Sequence, residues 1–172
     1  SYAAGRYTLP GARLILMNCP EALFTGTLLN LGRVTGCRAI AVVAASSQEP
    51  LSRVYAGVAG EALTLEAVSM GLGACWISGT YRKKLLNAPL AVHEAALAVI
   101  ALGIPESPPA LPVQRKRKSL EKLCKGDLTL WPEELLTVAQ AVREAPSAMN
   151  LQPWELSFTA NSFVLDSSDR AA

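Results

Sequence analysis

The chain is poor in the side chains that most catalytic and metal-binding arrangements require. It has one histidine, His93, and four cysteines, Cys19, Cys37, Cys75 and Cys124, with no C-x-x-C pair in 172 residues. No zinc site is recognisable, and neither a Ser/His/Asp nor a Cys/His arrangement stands out. Charged residues are only 17% of the chain against 51% apolar, which excludes the disordered and fibrous classes. A formal net charge of +2 is too small to argue for nucleic acid as a partner. Long hydrophobic runs are missing too. The longest, Ala95 to Ile104, falls well short of the ~20 residues a bilayer demands, and no secretory signal is visible at the N-terminus. Widely spaced thiols without a pairing pattern fit free, buried cysteines in a reducing cytoplasm, where the protein is expected to reside.

What is present suffices for one domain with a sizeable core, so residues 1–172 read as a single domain. A mean hydropathy of +0.26 with so few charges implies more apolar surface than a monomer buries, and an interface with another chain or a further segment is expected. The pattern predicts alternating elements. Leu14 to Met17 is a short apolar run, and Pro20 to Leu31 reads as a helix with Pro20 at its first position. Ala39 to Ala45 reads as a buried strand. Ala59 to Met70 reads as a helix apolar nearly all round, which belongs in the middle of a core. Ala74 to Ile77 and Ala95 to Leu102 follow as strands, the second apolar on both faces, implying a sheet covered on both sides. Four prolines, Pro105, Pro108, Pro109 and Pro112, make a stiff extended linker that delivers the basic run Arg115-Lys116-Arg117-Lys118. The helix from Pro132 to Ala145 carries Glu133 and Glu134 in its first turn and Arg143 in its last. Trp154 to Leu165 has the alternation and turn of a hairpin.

The most telling stretch is Ala145-Pro146-Ser147-Ala148-Met149-Asn150-Leu151-Gln152-Pro153-Trp154. Pro146 disfavours helical geometry at Ala145, and Pro153 pushes Gln152 toward extended geometry, so small and amide side chains are held in a stiff, exposed bend. Such a bend can present donors to a planar polar ligand. As turn chemistry alone it is a helix-to-strand connector.

This segment resembles the flavin-contacting motif of the nitroreductase family, and two more segments are similar to that family. Gly60-Glu61-Ala62-Leu63, running into Gly71-Leu72-Gly73-Ala74-Cys75-Trp76-Ile77-Ser78-Gly79, resembles its buried helix, strand and flavin-edge loop. Ala101-Leu102-Gly103-Ile104-Pro105 followed by Arg115 to Leu120 resembles the strand and basic loop that meet the flavin phosphate. The bend comes last here, whereas common nitroreductases place it early. That order is similar to a single-chain branch with two related halves. The resemblance covers about Gly32 to Asp166. An Arg-rich opening segment and a stretch beyond the hairpin are not recognisable, so the domain reads as incomplete at both ends, with a second chain or missing segments completing the site.

The resemblance implies an α+β fold, a central mixed sheet flanked by helices on both faces. It also implies an FMN-dependent oxidoreductase that passes hydride from NAD(P)H to a small-molecule acceptor such as a nitroaromatic or quinone, with no nucleic acid or membrane as partner. Arg115 and Arg117 match the phosphate loop, where an arginine fork suits phosphate oxygens. Asn150 and Gln152 match the amide positions, Pro146, Ser147 and Ala148 pack beside the ring, and Ser78 and Gly79 match the loop whose backbone approaches N5. The cofactor carries the chemistry, so no catalytic side chain is implied. Two alternatives stand beside this reading: a flavin-binding module without turnover, and a degenerate remnant that uses the old cleft as an interaction surface.

Overall fold

The computed structural model describes residues 8–25, 34–106, 116–160 and 162–167. The chain divides into two compact units, residues 1–110 and residues 111–172.

In the first unit, strands β1 (Ala12–Asn18), β2 (Ala39–Ser46), β3 (Gly73–Ile77) and β4 (Glu94–Gly103) form one sheet in the order β1-β2-β4-β3, antiparallel throughout. Every residue of β2 after Ala39 is buried, as its unbroken valine, isoleucine and alanine run predicts for a central strand. Alternation sorts the side chains into two cores. Ala41, Val43 and Ala45 join Ala98, Ile100 and Leu102 on the face covered by helix α1 (Ser52–Ser69). Ile40 and Val42 join Val99 and Ala101 on the other, packed against Leu23, Phe24, Ile77 and Tyr81. The sheet is thus covered on both sides, although among the described residues only one face carries a long helix. A bulge between Val43 and Ala44 shifts the register on β4 from Ala98 to Ala96, so Leu97 is the extra residue. Strands β2 and β3 run in the same direction with β4 between them, and α1 makes the return crossover.

Helix α1 starts seven residues before the predicted Ala59, because the stripe Ser52, Ala56, Ala59, Gly60, Leu63 and Ala67 is buried at helical spacing despite two valines and Gly57 in its first turns. Only that stripe faces the core. Leu65 and Val68 are 63% and 52% exposed, together with Val54 and Val58, so the helix is half-buried rather than central. Small buried residues let it lie close to the sheet. At Gly60 a Cβ would overlap the indole of Trp76, and that indole donates from Nε1 to Oε2 of Glu61 at 2.9 Å. Glu61 therefore ties β3 to the middle of α1.

The helix predicted from Pro20 does not begin there. Residues 21–24 form turns, with Ala22 left-handed at φ 62° and Leu23 and Phe24 turned into the core. The remainder of that prediction, and Pro108, Pro109 and Pro112, lie outside the described residues. At one edge Arg13 of β1 makes a bidentate pair with Glu94 of β4, Nε to Oε1 and Nη2 to Oε2 both at 2.6 Å. The guanidinium holds the Glu94 carboxyl down at about 2. All four cysteines are free; Cys124 is buried, Cys19 and Cys37 are half-buried, and Cys75 is exposed, contrary to the expectation of uniform burial.

The second unit contains α2 (Leu120–Leu123), β5 (Cys124–Lys125), α3 (Glu133–Glu144), β6 (Trp154–Thr159) and β7 (Ser162–Ser167). Strand β5 pairs parallel to β6, and β6 and β7 form the predicted hairpin, with Phe158 opposite Phe163. Both phenylalanine rings pack on Trp131 at centroid distances of 6.0 and 6.2 Å, the first tilted and the second edge-on. Leu123, Ala139 and Leu156 complete the core. Spacing alone would put Leu135, Val138, Ala139 and Val142 on one face of α3, but Val138 is 42% exposed and Leu136 packs inward. The parallel pairing expected of a mixed sheet thus occurs here, in a separate three-stranded sheet.

Candidate functional site

Helix α3 ends at Glu144, where Ala145 turns extended (φ −57°, ψ 143°) ahead of Pro146, as the proline demands. The bend that follows carries an unusual backbone. Met149, Asn150 and Gln152 have φ of 51°, 56° and 48°, left-handed values that asparagine tolerates and methionine rarely adopts. Such residues cost on the order of 1–3 kcal/mol each and persist only where the surroundings over-determine them.

The surroundings are polar and come from the basic run. Consecutive residues 116, 117 and 118 each bond to the bend. Asn150 Nδ2 donates to the Lys116 carbonyl at 2.8 Å, and Arg117 Nη1 donates to Asn150 Oδ1 at 2.5 Å. The Lys118 N–H donates to Gln152 Oε1 at 2.7 Å, and Lys118 Nζ to the Gln152 carbonyl at 2.9 Å. Inside the bend, Gln152 N–H donates to Ser147 Oγ at 2.9 Å and Gln152 Nε2 to the Asn150 carbonyl at 3.1 Å. Gln152 is only 4% exposed, so this saturation is what makes its burial tolerable.

Arg117 also donates from Nη2 to the Glu144 carbonyl at 2.8 Å, and its Nε lies 3.6 Å from the Glu144 carboxylate. Its side chain is 9% exposed. Nε is buried and has no hydrogen bond among the described residues, so the ion pair is its contact there. Arg143 joins the cluster, with Nε on the Lys118 carbonyl and Nη1 on Glu144 Oε1, both at 2.9 Å. Pro146, Ala148 and Met149 remain exposed along the rim.

The structure therefore brings together Arg117, Ser147, Asn150 and Gln152 from the sequence-derived set. The two carboxamides, expected to offer donors to a ligand, direct them at their own chain. Arg115 lies outside the described residues. In the first unit, Ser78 and Gly79 directly follow β3, both exposed, and among the described residues nothing beyond its chain neighbours lies within 4 Å of where a Cβ on Gly79 would sit. Trp76 packs against the core beside α1.

Sequence reasoning missed Lys116, Lys118, Arg143 and Glu144. One signal was available: a glutamate closing a helix opposes the macrodipole, so Glu144 at that position implies a nearby cation.

The chain shares its fold with a protein of known structure. It aligns with the crystal structure of a protein described as a "putative nitroreductase" from Thermotoga maritima MSB8 at 21% identity and a TM-score of 0.55, over 90% of this chain and 62% of that one. At that identity the likeness shows the fold alone, a nitroreductase-like α+β fold. A nitroreductase family protein from Clostridium difficile 630 aligns at 14% identity and a TM-score of 0.46, over 60% of this chain and 64% of its own. No curated protein matches the chain. Residues 15–168 match the family described as "Putative TM nitroreductase". The chain belongs to this nitroreductase family and spans about 62% of the length of the Thermotoga protein. Among the described residues, no helix is long and apolar enough to cross a membrane.

Proposed function

We propose that this chain is the flavin-binding part of an FMN-dependent oxidoreductase that takes hydride from NAD(P)H and passes it to a small acceptor such as a nitroaromatic or quinone. The family match gives the class, and the observation that carries the assignment to this site is the left-handed Met149-Asn150-Gln152 backbone, held by the basic run at the segment that resembles the flavin motif. Strain kept in place by so many polar contacts is characteristic of ligand-holding loops.

The residues fit a flavin in part. Pro146 and Ala148 offer exposed small apolar surface for a ring. Arg115, with Lys116 beside it, would supply positive charge to the phosphate. Asn150 and Gln152 act through the shape they impose on the bend, because their amides are already bonded within the chain. When bound, the flavin supplies the two-electron chemistry, accepting and returning hydride. The protein's work is to bind, orient and screen it, which asks for no nucleophile and no general acid among the side chains.

Anaerobic addition of NADH or NADPH to the FMN-loaded chain tests the assignment. Bleaching of the flavin band and its return on adding a quinone are expected. A band that persists with both nicotinamides would leave a flavin-holding module without turnover.

A further inference from the structure

We infer that Arg117 is a positioning residue that clamps the Ser147–Gln152 bend, rather than a ligand of the flavin phosphate. The inference rests on the flavin reading for what the bend serves, but the clamp itself is a property of this chain.

Three observations carry it. First, the side chain is only 9% exposed, and all three of its guanidinium nitrogens face their own unit. Nη1 meets Asn150 Oδ1, Nη2 meets the Glu144 carbonyl, and Nε lies beside the Glu144 carboxylate. Bidentate recognition of a phosphate needs two parallel N–H groups presented outward. Turning the fork out would break all three of these contacts at once.

Second, the bonds have the topology of a clamp. One bond of Arg117 goes to the last helical carbonyl of α3, which no residue of the helix can satisfy, and another goes to Asn150 at the apex of the bend. The same arginine thus fixes where the helix stops and where the chain turns. Asn150 is held from both ends, its oxygen by Arg117 and its nitrogen by the Lys116 carbonyl.

Third, the backbone at this point needs holding, since Met149 and Asn150 are both left-handed and Met149 is 79% exposed. Nothing in methionine's own preferences keeps it there. With the clamp closed, Pro146, Ala148 and Met149 stay on the outer rim, where a flat ligand can meet them.

Loss of stability alone would follow from removing any buried arginine, so two local readouts decide the matter in the full chain. One is hydrogen exchange of the amides of residues 147–152. The other is the ratio of affinities for FMN and for riboflavin, which has the same ring and no phosphate. For Arg117→Gln, exchange at Asn150, Leu151 and Gln152 is expected to rise by roughly tenfold or more, the scale of a lost hydrogen bond to a charged group, while β1–β4 are unchanged. FMN and riboflavin should weaken by the same factor. Unchanged exchange, with the loss confined to FMN, would overturn the clamp and make Arg117 a phosphate ligand.

Asn150→Leu cuts the same link from the other side and should reproduce the exchange pattern. Should Arg117→Gln fail to fold, Arg117→Lys, which keeps the charge and a single donor, is expected to fall between Asn150→Leu and the parent. Behaviour identical to the parent would overturn the proposal. If the parent chain binds neither flavin, the functional reading fails, and the exchange measurements still test the clamp.

Discussion

The two units carry their candidate contacts by opposite means. In the first, Ser78 and Gly79 stand at the end of a strand whose sheet is fixed by apolar burial: β2 is sealed on both faces, and Gly79 is left open. In the second, the bend is fixed almost wholly by hydrogen bonds between segments 25 to 34 residues apart in sequence, around a backbone that would not hold itself. The difference teaches that a hydrophobic frame can present a site by leaving a gap, whereas a strained bend must be pinned at each polar atom. The first kind tolerates surface change and fails by losing volume; the second fails when one donor is lost.

The contrast makes graded predictions. The largest effect belongs to the first unit's core. Ile100→Ala removes a fully buried side chain packed under α1 and is expected to cost about 2–5 kcal/mol, read by chemical denaturation. A cost below about 1 kcal/mol would mean that the sheet is not held by apolar packing. Next comes Gly60→Ala, whose Cβ overlaps the Trp76 indole. A destabilisation of about 1–3 kcal/mol with altered tryptophan emission is expected, and Trp76→Leu should relieve it.

In the second unit the sign reverses at Met149. Met149→Gly removes the left-handed penalty and should leave stability level or raise it by up to about 1 kcal/mol, a gain no core position of the first unit can show. The smallest effect is electrostatic. Arg13 holds Glu94 down at about 2, below the ordinary carboxylate range, so its contribution to stability is complete above that range and is lost as pH falls toward 2. Glu94→Gln should flatten the acid limb of a stability-against-pH curve and change little at neutral pH beyond the lost pairing.

Most of the frame was legible along the chain, because burial on two faces writes itself as a continuous apolar run. Strands β2 and β4, helix α3 and the β6–β7 hairpin stand within a residue or two of where periodicity and punctuation place them. Helix α1 was read too short and too central. Alanine, valine and glycine around its whole circumference blur the stripe, and only packing against the sheet selects Ala56, Ala59, Leu63 and Ala67. The turn at Ala22 carries no local mark of its left-handed backbone.

For the bend, Pro146 announced where the helix must stop, and Ala145 is extended there, but the extended geometry expected of Gln152 ahead of Pro153 is not adopted: Gln152 is left-handed at φ 48°, held by its bonds to Lys118 and Ser147. What they could not announce is the direction of the polar groups. A pattern of Asn, Gln and Arg says that donors are near, and only the fold says whether they face a ligand or one another. Here Asn150 meets Arg117 and Lys116, and Gln152 meets Lys118, contacts that no sequence window brings together.

Equilibrium titration of FMN with the purified chain, followed by flavin fluorescence, bears most directly on the assignment of this chain as a flavin protein. Saturable quenching at one flavin per chain, weakened by Asn150→Leu, is the predicted result. Fluorescence indifferent to the protein, from a folded chain with the bend protected from exchange, would contradict it.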